Sequence, residues 1–135
     1  MLFLITTAGK ALIAGRINGS GSPAAATSIG LGIGTTAAAA GNTALETGRT
    51  TGGSADSGVH AIPTASVSVS LVTTTTTNDT AQWVGTATFS ATLAVTESGV
   101  FNADTNGTML NRQVFSAINV VSGDSIQFTH KAAIS

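Results

Sequence analysis

The chain has no cysteine and no tyrosine, a single tryptophan, two prolines, and only 8% charged residues. Without cysteine there is no disulfide, no thiolate metal site and no thiol nucleophile. Trp83 and five phenylalanines are the whole aromatic complement, a poor stock for the aromatic platforms on which sugars stack. An ordinary soluble domain is about one-quarter charged. Here five cations, Lys10, Arg16, Arg49, Arg112 and Lys131, are scattered along a chain of formal net charge −1. No basic patch can form to displace counterions from nucleic acid or to hold an anionic membrane, so neither is expected as a partner. The apolar opening Met1-Leu2-Phe3-Leu4-Ile5 has no basic flank and is interrupted by Thr6, Thr7 and Lys10. It is expected to be neither a signal peptide nor a membrane span.

What remains is a chain of 135 residues, enough for one domain with one core. Hydrophobic residues make up 42%, but much of that is alanine, and the large members are Val, Ile, Leu and a few Phe. Apolar burial at about 25 cal/mol per Å² must offset about 1–2 kcal/mol of backbone entropy per residue, so so thin a core leaves an isolated subunit marginal. Association with copies is the direct remedy. It also accounts for the missing charge, because surfaces packed against partners are depleted in charge.

Residues 1–17 read as a short strand followed by a helical turn or two. Thr7 is the expected N-cap, with Leu12, Ile13 and Ile17 on one helical face. The run Asn18-Gly19-Ser20-Gly21-Ser22-Pro23 is a link rich in turn formers. Ile29, Leu31 and Ile33 alternate with Gly30, Gly32 and Gly34, which is strand periodicity with another backbone or sheet packed close. Residues 35–58 have Leu45 as their one large apolar anchor, and are expected to form an extended low-complexity arm or a long loop. From Val59 onward the pattern is β. Val67, Val69 and Leu71 alternate with serines, and after Asn78-Asp79 a return strand is expected through Ala87, Phe89, Ala91 and Leu93, with one oily face and one hydroxyl face. Asp104-Thr105-Asn106-Gly107 is the strongest hairpin signal, joining residues 94–103 to 108–116. Ser122-Gly123-Asp124 makes a further turn, and Ile126, Phe128, His130, Ala132 and Ile134 share one face of the last strand. The expected fold is mainly β: an antiparallel β-sandwich or a jelly-roll or barrel-like domain, with a short N-terminal helix.

No constellation suits catalysis, a metal or a cofactor, and no residue is assigned to such a role. Gly30-Leu31-Gly32-Ile33-Gly34 lacks the spacing and the strand–turn–helix setting of a dinucleotide loop. His60 and His130 are far apart and have no second ligand at i+2 or i+4; His130, between Phe128 and Ala132, reads as a core or interface residue. No serine sits in a nucleophile elbow. Asp56, Asp79, Asp104 and Asp124 occupy turn-like positions. Glu97 alone lies within a strand region, and Arg112 on the hairpin partner suggests a structural cross-strand ion pair. The chain is therefore expected not to be an enzyme.

The segment Glu97-Ser98-Gly99-Val100-Phe101-Asn102-Ala103 is followed by Gly107-Thr108-Met109-Leu110, Arg112, Val114-Phe115-Ser116 and Ser122-Gly123-Asp124-Ser125-Ile126-Gln127-Phe128. This succession resembles small structural proteins of tailed bacteriophages. Gly32 to Ala37, Asn42 to Glu46 and the opening Thr6-Thr7-Ala8-Gly9-Lys10 resemble the first half of the same proteins, and residues 47–80 the least. The resemblance implies a component of the virion surface, assembled in the host cytoplasm, whose partners are its own copies, as a trimer, and the phage major capsid protein or other virion proteins. It carries no catalytic or ligand residues. A compact β domain plus an arm suits a capsid decoration (cement) protein; a tail fibre or other tail component for host attachment would need a shaft or attachment domain that this length does not hold. A carbohydrate-binding module is the alternative of another class.

Overall fold

The alternating runs fold as two antiparallel sheets in a computed structural model that describes residues 4–134. In chain order the elements are β1 (Leu4–Ile5), α1 (Thr7–Asn18), β2 (Ser28–Gly32), β3 (Gly48–Arg49), β4 (Val67–Val72), β5 (Thr80–Thr88), β6 (Leu93–Phe101), β7 (Met109–Val120) and β8 (Ser125–Ala133), with a 3₁₀ turn at Thr64–Ser66. The larger sheet runs β1-β7-β6-β2-β3 and the smaller β4-β5-β8. The architecture is a β-sandwich-like domain with one short N-terminal helix, as the periodicity predicts. Between the sheets lie Ile29, Leu31, Ile62, Trp83, Phe89, Val95, Val100, Leu110 and Phe128, all buried. The Trp83 indole N–H, which burial would otherwise orphan, donates to the Ala26 carbonyl at 2.6 Å.

Met1, Leu2 and Phe3 of the expected first strand lie outside the described residues; Leu4 and Ile5 pair with Arg112 and Asn111 of β7. The helix cap is Thr6, one residue before the expected Thr7, because the Thr6 hydroxyl accepts from the Gly9 N–H at 2.9 Å while donating to the Met109 carbonyl. α1 ends at Gly19, whose φ of 73° is the left-handed cap that glycine supplies at no steric cost. Leu12 is buried and Ile13 half-buried, but Ile17, expected on the same covered face, is 81% exposed. The helix rests on β7 through its first turns, so its last turn overhangs.

The hairpin after residue 66 also differs from expectation. The Asp79 carboxylate accepts from the backbone N–H groups of Thr74, Thr75 and Thr76, and closes the loop early enough for the return strand to begin at Thr80. Val69 therefore stands opposite Trp83 and Leu71 opposite Ala81. Ala87 lies in this return strand as expected, but Phe89 and Ala91 carry the chain across to the larger sheet, where Leu93 opens β6. The Ser122-Gly123-Asp124 turn makes the opposite crossing, and the two crossings are tied by Phe89 N–H to Asp124 O (2.8 Å) and Gly123 N–H to Phe89 O (2.7 Å).

Residues 35–58, expected as an extended arm or long loop, contain β3 and otherwise run irregularly beside the larger sheet. The glycine face of β2 makes room for them. A Cβ on Gly30 would sit 2.8 Å from the Phe101 ring and 3.1 Å from Leu45, and one on Gly32 2.7 Å from the Thr47 carbonyl. Another backbone does pack close at Gly32, that of the loop at Thr47, while at Gly30 side chains of the loop and the neighbouring strand fill the space.

Candidate functional site

Glu97, Arg112, Asp79, Asp104 and Asp124 are each occupied in holding the fold. Glu97 and Arg112 form the expected ion pair, with Arg112 Nε donating to Glu97 Oε2 at 2.9 Å and the charged Nη2 standing 2.9 Å from the same oxygen. Glu97 stands opposite Val114, and Arg112 opposite Gly99, so the pair is diagonal; a register shift between Val95 and Glu97 sets it so. Both side chains are buried, at 0% and 2% exposure. The Glu97 carboxylate further accepts from the N–H groups of Gly34 (3.0 Å), Glu46 (3.0 Å) and Thr47 (2.8 Å), and Arg112 Nη1 donates to Asn42 Oδ1 at 3.0 Å. A carboxylate that accepts four hydrogen bonds, three of them from loop amides, is a tie between strand and loop. Pairing across the hairpin was legible from the sequence; the three loop amides were not, because nothing local marks an N–H as the partner of a distant acid.

His130 lies in the core on β8, with Nε2 2.9 Å from Ser98 Oγ. Ser98 Oγ also lies 3.0 Å from the Gly30 carbonyl oxygen, so this hydroxyl links β6 to both β2 and β8. Burial pushes the His130 pKa down to about 4, and the neutral ring is a polar brace between the sheets.

His60 stacks on Phe101 with ring centroids 3.7 Å apart and 17° between planes. Its Nδ1 is 3.7 Å from Asp56 Oδ2, both side chains being 5% exposed. Burial lowers the His60 pKa and raises that of Asp56, and their mutual attraction opposes both shifts. Asp79, Asp104 and Asp124 accept from backbone N–H groups at turns, as their positions suggest; these bonds hold the Asp79 and Asp104 carboxyls below the usual range. Among the described residues no three His, Asp or Glu side chains gather as a metal would require. Gly30 to Gly32 lie within β2 itself, away from any helix N-terminus.

The surface offers a different kind of site. Where the inner face of the small sheet runs past the cover of the larger one, α1 flanks a groove of about 540 Å³. Its walls include Leu12, Ile13 and Ile17 of α1, Val69 and Leu71 of β4, Ala81 and Trp83 of β5, and Ala132 and Ile134 at the end of β8. Arg16 is the one titratable side chain among them. Ile17, Val69, Leu71 and Ile134 are 81%, 57%, 62% and 65% exposed, so four large apolar side chains gather about one opening. Single exposed apolar residues are ordinary, whereas a contiguous group marks an interaction surface. The sequence placed Val69, Leu71 and Ile134 on oily strand faces, but gave no sign that those faces outrun their cover. Such an overhang depends on where the larger sheet ends, which periodicity does not encode. No family model, no curated protein and no solved structure matches the chain.

Proposed function

We propose that this chain is a non-enzymatic structural subunit of a tailed-bacteriophage virion, a capsid decoration (cement) protein that assembles with its own copies, as a trimer, and bridges major capsid protein subunits on the particle surface. The observation that carries this reading is the apolar groove beside α1 on a molecule with almost no charge to keep neighbours away. A small-molecule enzyme site needs convergent polar groups to orient a reacting centre, and the groove has one arginine and no acid or base beside it. A mechanical role needs only apolar contact and backbone complementarity, repeated many times. Each small contact, once made on a lattice, makes the next intramolecular, so many weak contacts together resist opening of the shell. The succession of residues from Glu97 to Phe128 that resembles tailed-phage structural proteins supports the virion setting, and it forms the β6–β7–β8 part of the domain.

The test is fractionation of the phage particles that carry this chain, with the copies per particle counted. The expected result is hundreds of copies on intact heads, and heads that open at lower temperature when the protein is stripped away. A few copies at the tail tip would replace this reading with the tail component, and glycan binding by the isolated protein would replace it with the carbohydrate-binding module.

A further inference from the structure

Sheet edges are hazards that proteins blunt with charge, proline, bulges, brevity or a cover. β1 and β3 are two residues long, and β8 carries Lys131. The outer edge of β4 has none of these devices. Val67-Ser68-Val69-Ser70-Leu71-Val72 contains no charge and no proline, pairs with β5 in unbroken register over all six residues, and ends the smaller sheet, with no described element on its other side. Its row of outward N–H and C=O groups is therefore a template for another strand.

We propose that β4 is an intermolecular pairing strand, and that its occupant is β4 of a second copy, antiparallel across a two-fold axis through Val69. Over residues 67–71 the sequence of the strand is complementary to itself about that residue. Directly opposed residues in an antiparallel pair share a face. A two-fold through Val69 sets Val69 against Val69, Val67 against Leu71 and Ser68 against Ser70, so apolar meets apolar on the groove face and hydroxyl meets hydroxyl on the other. A charged strand could not pair with itself in this way, because like charges would meet at the axis; β4 is neutral throughout. The pairing extends the small sheet from three strands to six and brings the two grooves edge to edge, covering Val69 and Leu71, which stand 57% and 62% exposed in the single chain. A two-fold contact is isologous and closes on itself. Alone it gives a dimer; added to a three-fold contact it joins trimers in pairs. It is a property of the free chain and holds whether or not that chain belongs to a virion.

The absence of cysteine makes the test direct. Opposed antiparallel residues have Cα atoms about 4.5–5.5 Å apart, within the span a disulfide bridges. Val69→Cys should therefore form a covalent dimer under mild oxidation, far faster than Ser122→Cys, which places a thiol at another exposed position, in the β7–β8 turn. Val69→Lys sets two ammonium groups face to face at the axis and should halve the sedimenting mass at micromolar concentration, with an unchanged circular dichroism spectrum because the side chain is exposed. A wild-type chain that sediments as a monomer would overturn the proposal. So would an unchanged mass for Val69→Lys, or cross-linking of Val69→Cys no faster than the control. If Val69→Lys does not fold, the cross-linking rate decides.

Discussion

His130 shows how one residue type changes meaning with its surroundings. On an exposed strand it would titrate near 6.5; between the sheets, desolvation holds it neutral down to about 4. In the unfolded chain the ring recovers its ordinary value, so between pH 6.5 and 4 the unfolded state binds more protons than the folded one. Stability from this residue is thus complete above the unfolded value and is lost as pH falls through that window, at up to about 1.4 kcal/mol per pH unit. His60 acts in the same sense and Asp56 in the opposite one, so the contribution of His130 is read as a difference. His130→Gln keeps a hydrogen-bonding side chain at Ser98 and removes the titration. Its stability, measured by urea unfolding across pH 4–7, should fall less steeply towards acid than that of the wild type. Parallel slopes would mean that His130 titrates alike in both states.

At the scale of elements, the seating of α1 turns on one small residue. A Cβ at Gly9 would overlap the Leu110 carbonyl oxygen and stand 2.8 Å from the carbonyl carbon, so the helix approaches β7 at a distance that only glycine permits. Gly9→Ala gains about 0.5–1 kcal/mol in helix propensity but forces the helix off the strand, at a cost of typically 1–3 kcal/mol. The expected result is a net loss of stability in urea unfolding, with Gly41→Ala, where nothing lies within 4 Å, as the neutral control. Helix propensity registers only the local cost of a glycine here and nothing of the neighbouring strand that requires it. Elements whose signal is local were legible: the β6–β7 hairpin around Asn106, with φ of 50°, the alternation of β8, and the β2 strand. The start of β5 was not, because Asp79 sets it by closing a loop, and the bonds of that carboxylate run to backbone amides that carry no sequence mark. The Val-Ser alternation of β4 gave its two faces correctly and said nothing of how far either is covered.

At the scale of the whole molecule, the smaller sheet packs on one face of the larger one, Leu45 and His60 of the long loop pack on the other beside Gly30, and Glu97 joins that loop to the sheet. Its carboxylate pairs with Arg112 and takes the amides of Gly34, Glu46 and Thr47. Removing one partner of a buried ion pair costs about 3–5 kcal/mol, whereas exchanging both for apolar residues is often neutral. Here the second outcome is not expected. An apolar pair would still strand three loop amides, two of them only partly buried, and an unmet buried N–H costs about 1–3 kcal/mol. Glu97→Ala should therefore destabilise the domain by several kcal/mol in urea unfolding. It should also speed hydrogen exchange at Gly34, Glu46 and Thr47 well before it affects the β5–β8 ladder. The double change Glu97→Leu with Arg112→Met should recover part of the stability and none of the amide protection. If the double variant protects those amides as the wild type does, the loop is held by its own packing, with Leu45 against Gly30 and Gly99, and the carboxylate is incidental to it.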